Sequence, residues 1–263
     1  LVEDLSPFTV ASITPVIVDP ETLYLILDVS ARFNSNLTTL GSDDLQGTIT
    51  NTLTNFNNNS LKTFNSAFRH SQVTKLIDDS DTSLTSNITR VVLGKFFTPT
   101  LNESVGYTIS FNNVIFNPHA GHNTNEGGVI ASTGFKVSGD TVNEMFLDED
   151  GFGNIRRFYI LAGEKKYVDN TAGTVNYGNG ILSLNPLTIN QVSDVDNTSS
   201  TQIRITTIPD SVDIIPVRNQ LLEIDLVNTV VNVAIDRLGV GDINTVNTAD
   251  LATSSFTKTV SGY

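Results

Sequence analysis

Alternation at period two marks the first readable segment of the chain. In TLYLILDVSARF, Leu23, Leu25, Leu27, Val29, Ala31 and Phe33 fall on one side. Tyr24, Ile26, Asp28, Ser30 and Arg32 fall on the other, which grows polar toward its end. Successive side chains of a strand point to opposite faces, so the pattern predicts a long strand buried on one face and partly covered on the second.

The next segment, GSDDLQGTITNTLTNF, carries two periods at once. Leu45, Ile49, Leu53 and Phe56 make one helical stripe, with Ser42 placed as N-cap and Asp43 and Asp44 well set against the helix dipole. Thr48, Thr50, Thr52 and Thr54 instead alternate as a strand would, and Thr is a mediocre helix former. Helix is the preferred reading, because Phe56 keeps the helical spacing and breaks the alternation. Leu61, Phe64 and Phe68 then fit a short helix, and Val73, Leu76 and Ile77 a second one beginning near Ser71. SNITRVVLGKFF reads as a returning strand. This order predicts helices laid on a sheet.

From Val105 onward the pattern is almost purely β. Val105, Tyr107, Ile109 and Phe111 alternate with polar or small residues, and short apolar runs follow at VIASTGFKV and EMFL. The stretch from Arg156 to Leu184 reads as about four short strands, divided at Ala162-Gly163, at 170–173 and at 178–180. Two late runs, QIRITTI and QLLEIDLVNTVVNVAID, are strand-like. After Gly239 only Leu251 and Phe256 stand out as large apolar anchors, so this tail has little with which to offset its own ordering entropy. The predicted class is α+β: a mixed sheet with two or three helices on one side, plus a β-rich subdomain of short antiparallel strands. The expected units are a core at 1–110, the β-rich part at 111–200, and late strands with an extended tail at 201–263.

Composition narrows the function. The 263 residues are 39% hydrophobic at a mean hydropathy of −0.01, enough for a folded core. A net charge of −13 and a pI near 4.4 argue against nucleic acid as a general partner, since phosphate is repelled. The densest basic pairs, Arg156-Arg157 and Lys165-Lys166, read as solvated strand positions. The absence of Cys removes disulfides and thiol chemistry. No apolar run approaches the roughly 20 residues of a membrane helix, so membrane insertion is not expected. The chain opens on Leu1 with no start Met, which reads as a fragment of something longer.

Candidate chemistry is sparse. His119, His122 and Glu126 form an H-x-x-H…E cluster, but two histidines at this spacing meet on one ion only in a helix turn or a tight loop. Pro118, Gly121, Gly127 and Gly128 favour an exposed loop, and no metal ligand is assigned. DEDGFGN at 148–154 resembles a calcium loop only briefly. Asp148 and Asp150 fit, yet Phe152 occupies a ligand position and Gly151 comes too early, so a strand connection is the better reading. Asn-x-Ser/Thr sequons at Asn36, Asn58, Asn87, Asn102 and Asn197 reflect a chain rich in Asn and Thr. There is no nucleophile elbow, Walker loop or dinucleotide fingerprint. Acidic pairs such as Asp78-Asp79 and Glu149-Asp150 read as solvated turns. No catalytic residue, cofactor or enzymatic activity is expected.

The run from Tyr24 to Val92 resembles the C-terminal part of baseplate J-like proteins: YLILDVSARF as a strand, DDLQGTITNTLTNF as a helix packed on it, and FRHSQVTKLIDDSDTSLTSNITRVVL as a helix and returning strand. Ser71, Val73 and Ile77 stand nearest the family's helical motif. The longer run through FFTPTLNESVGYTISFNN and DEDGFGNIRRFYILAGEKKYVDNTAGTVNYGNGILSLN is similar to the T-even-type wedge proteins of contractile phage tails. The resemblance implies a structural component of the tail baseplate, assembled in the host cytoplasm and carried in the virion. Such a component associates with copies of itself as a homodimer or higher oligomer, and with other wedge proteins in a ring around the tail hub. The late strands and tail are the expected contact region, with Leu222, Ile224, Leu226, Leu251 and Phe256 as its apolar anchors. The alternative from the residues alone is a secreted or surface β-rich domain of adhesin type, which Thr- and Asn-rich strands suit equally well.

Overall fold

The computed structural model describes residues 20–122, 128–195 and 199–237. Strands take up 50% of the described residues and helices 14%, so the structure is mostly β and the α+β expectation is overturned. Two α-helices occur among the described residues, and the strands after residue 104 are longer than the turn signals suggested, closing into a barrel.

The first sheet is mixed. Strand β1 (Glu21–Phe33) pairs antiparallel with β2 (Leu84–Phe97), which continues to β10 (Ile203–Thr207) and β4 (Ile130–Ser132). On its other side β1 is long enough to hold two parallel partners end to end. Strand β11 (Gln220–Ile224) pairs with its first part and β12 (Val230–Ile235) with its last. The predicted apolar face of β1, from Leu23 to Phe33, is buried throughout.

Helix α1 (Ser42–Phe56) buries Leu45, Ile49, Leu53 and Phe56, the stripe read from the sequence. Its N-cap is Gly41 rather than Ser42, and the Asp44 carboxylate accepts from the Gly41 N–H at 3.0 Å. The four threonines that suggested a strand are accommodated by donating each hydroxyl to the carbonyl four residues back. A π-helical turn, Asn57–Leu61, ends the helix. The expected short helix through Leu61, Phe64 and Phe68 does not form. Leu61 closes the π turn, Phe64 is exposed, and Phe68 bridges to Ile214 in extended conformation. Helix α2 (His70–Asp78) follows, burying Val73 and Ile77.

The second sheet is antiparallel, in the order β3 (Ser104–Ser110), β9 (Ile181–Val192), β5 (Phe135–Val137), β6 (Asp140–Glu149), β7 (Asn154–Leu161) and β8 (Glu164–Asn176). A further pairing of β8 with β9 closes five of these strands into a barrel, which removes their free edges. Its core holds Phe135, Met145, Leu147, Ile155, Val175, Leu182 and Ile189. Strand β8 runs through 170–173, where the sequence suggested a break, because the irregularity is absorbed as register shifts against β7. The first sheet thus draws on 21–97, 130–132 and 203–235, and the second on 104–110 and 135–192. One hydrophobic core joins them, and the Gln220 amide donates to the Phe111 carbonyl across the junction at 3.2 Å.

Candidate functional site

The run QLLEIDLVNTVVNVAID reads as one strand but is interrupted at its middle. Asp225 accepts from the backbone and side-chain nitrogens of Asn228 at 3.1 and 2.6 Å, forming a tight turn between β11 and β12. The Thr229 hydroxyl accepts from the Leu27 N–H at 3.2 Å, so β1 keeps a partner across the interruption. The turn presents Val227 at 91% exposure, and Val230 and Ile235 on β12 are about half exposed beside it. Among the described residues no strand pairs with the outer side of β11 or β12. The π turn covers the outer side of β11, where Asn57 accepts from the Ile224 N–H, so the open edge is that of β12, which carries neither the proline nor the lysine that usually blunts such an edge.

The expected contact residues fall unequally around this edge. Leu222 and Ile224 are buried inside the subunit on β11, Leu226 is half-buried against the core, and Leu251 and Phe256 lie outside the described residues. A residue that sequence reasoning missed seats β11. The buried Asn57 side chain in the π turn accepts from the Ile224 N–H at 2.8 Å.

The basic pairs are engaged within their own hairpin. Buried Asp148 on β6 accepts from Arg156 Nε at 2.9 Å, Lys165 Nζ at 3.0 Å and the Tyr167 hydroxyl at 2.8 Å. Arg157 faces Asp169 at 3.9 Å, and Lys166 pairs with Glu164 at 2.7 Å. Phe146 stacks on Phe158, Arg156 lies 4.3 Å from the centre of the Tyr167 ring and Lys165 4.5 Å from that of Phe158. Burial, then the hydrogen bond and charge of Asp148, push the Tyr167 hydroxyl up to about 12. With every cation facing a carboxylate, the hairpin is a pinned structural ladder rather than a phosphate-binding patch.

The calcium-like segment is also spent on structure. Asp148 serves the ladder, while buried Glu149 accepts from the Val129 and Gly151 N–H groups and from the Tyr177 hydroxyl. Burial works against charge on Asp150, but hydrogen bonds from Asn154 and Phe152 outweigh it and hold its carboxyl below the ordinary value. These bonds shape the turn between β6 and β7, so the carboxylates do not converge. His119 and His122 do meet, with Nε2 of the first 3.1 Å from Nδ1 of the second. Glu126 lies outside the described residues, and among those described no group of three or more His, Asp or Glu side chains is arranged to hold a metal ion. No described helix is long and apolar enough to cross a membrane.

Comparison with known proteins gives one family. Residues 21–95 match the family model described as baseplate structural protein gp6, C-terminal domain III. The matched segment starts on β1, includes both helices and ends on β2, the unit on which the open edge is built. No curated protein matches the chain. The match supports a phage baseplate protein, structural in role and located in the virion's tail.

Proposed function

We propose that this protein is a baseplate wedge component of the baseplate J-like, T-even type, which associates with copies of itself and with neighbouring wedge proteins into a ring around the tail hub. The match of residues 21–95 to a baseplate structural domain carries this reading. The open edge of β12 gives it a physical route, because strand pairing across two subunits satisfies backbone groups and brings cover to Val230 on one face of the strand and Ile235 on the other. Leu222 and Ile224 act in this scheme by holding β11 in place, while Leu226, Leu251 and Phe256 extend the contact. The protein is assembled in the host cytoplasm, and its work is mechanical rather than catalytic.

The test is the mass of the purified chain by light scattering after size-exclusion chromatography, alone and mixed with candidate tail proteins. The proposal expects a mass above the 28.4 kDa of one chain and co-elution with at least one tail protein. A monomer that binds none of them, yet is retained on a glycan array, would replace it with the adhesin reading.

A further inference from the structure

The His119–His122 pair is built more tightly than an exposed loop requires. The His122 N–H donates to the His119 carbonyl at 3.1 Å, a turn that swings two side chains three residues apart to the same side. Gly121 makes that turn at φ +77°, and its N–H donates to the Gly151 carbonyl at 2.9 Å, fastening it to the β6–β7 turn. The Phe152 ring lies against Gly121 so closely that a Cβ there would fall 2.6 Å from it. Asn117 reaches the same Gly151 carbonyl at 3.3 Å, and Phe116 packs edge-on against the His122 ring with centroids 5.4 Å apart.

The imidazoles are oriented as well as adjacent. His119 Nδ1 lies 3.2 Å from the Ala120 carbonyl oxygen, which can only accept. This contact is satisfied by the tautomer with the ring proton of His119 on Nδ1, which leaves Nε2 as the nitrogen facing His122 Nδ1. A backbone carbonyl holding the far nitrogen of an imidazole is the usual support of a metal-ligating histidine. Two nitrogens about 2.0–2.1 Å from one ion, at angles of about 90–109°, stand about 2.9–3.4 Å apart. The observed 3.1 Å falls inside that range.

We infer that His119 Nε2 and His122 Nδ1 form a two-imidazole site for a divalent late transition metal such as Zn²⁺, Ni²⁺ or Cu²⁺. Binding requires His122 to carry its proton on Nε2, so Nδ1 loses one proton to water and Nε2 gains one, with no net release from the neutral ring. The remaining coordination positions are filled by water. Nitrogen donors select these ions over Mg²⁺ and Ca²⁺, which take oxygen ligands. The bound ion would cross-link the two ends of the 119–122 turn and so stiffen it.

Titration calorimetry of the full chain with Zn²⁺ tests the site, with Cu²⁺ electron paramagnetic resonance as a second readout. One equivalent should bind, weakening by roughly tenfold or more in His119→Ala and in His122→Ala, and unchanged in His70→Ala. The Cu²⁺ spectrum should show coupling to two imidazole nitrogens, lost in either variant, and binding should fall in acid as protons compete for the rings. Uptake that persists undiminished in the His119→Ala/His122→Ala double variant, adventitious binding to the acidic surface, would overturn the inference. So would a wild-type chain that takes up no Zn²⁺.

Discussion

A Cβ placed on Gly173 would stand 2.4 Å from the carbonyl oxygen of Ser183. Gly173 pairs with Ile155 on one side and Leu184 on the other, at the seam where β8 meets β9 and the barrel closes. The obstruction is backbone, so no rotamer relieves it. Gly173→Ala should therefore cost about 1–3 kcal/mol by overpacking. Urea unfolding checks this: the midpoint should fall, whereas an unchanged midpoint would mean that the seam tolerates a side chain.

Removing the Asp148 carboxylate strands two cations. The Arg156 side chain is only 9% exposed, so Asp148→Ala should cost about 3 kcal/mol, chiefly for a buried guanidinium that loses its carboxylate while still donating to the Glu149 carbonyl. Lys165 is 35% exposed and can turn to water, which limits its share. Combining Asp148→Ala with Arg156→Met should recover part of the loss, measured in the same unfolding experiment.

The Tyr167 hydroxyl gives the barrel an alkaline limit. Its pKa is raised from near 10 in the unfolded chain to about 12 in the folded one. A raised value contributes stability that is fully present below the unfolded pKa and is lost as pH rises through the folded one. Tyr177 shifts in the same direction, through burial first and the charges of Glu149 and Asp150 next. Stability should accordingly fall as pH climbs from about 10 to 12, and Tyr167→Phe should flatten that fall while losing the bond to Asp148. Thermal melts across this range read both effects.

Asn57→Ala should loosen β11. The substitution leaves the Ile224 N–H buried without its acceptor, a cost of about 1–3 kcal/mol. Hydrogen exchange should show faster exchange at 220–224 than in β1, and equal protection would contradict the assigned role.

The parts legible in the sequence were those whose burial follows a local period. Leu23 to Phe33 and the Leu45–Phe56 stripe were readable because one face of one element meets the core. Phe64 and Phe68 misled because the spacing of apolar residues does not say which of them meets a partner, and Phe68 meets Ile214 far along the chain. The division of 220–236 into β11 and β12 depends on β1 being long enough for two partners, which no local pattern encodes. Asn57 is 167 residues from the N–H that it receives. The barrel closure was hidden for the same reason, since Gly173 looks like a turn residue until β9 is placed beside it. In the candidate metal loop, the glycine that argued for an open loop is what allows the tight turn bringing His119 to His122.

Sedimentation velocity on the wild-type chain and on a Val230→Lys/Ile235→Lys variant tests most directly whether this protein works as an assembling structural subunit. Both side chains are already about half exposed, so the variant should fold as the wild type does. The wild type should sediment as a dimer or larger species from micromolar concentrations upward, and the variant should shift toward monomer. A wild-type chain that remains monomeric at every soluble concentration, or oligomers unaffected by two lysines on β12, would contradict assembly through this edge.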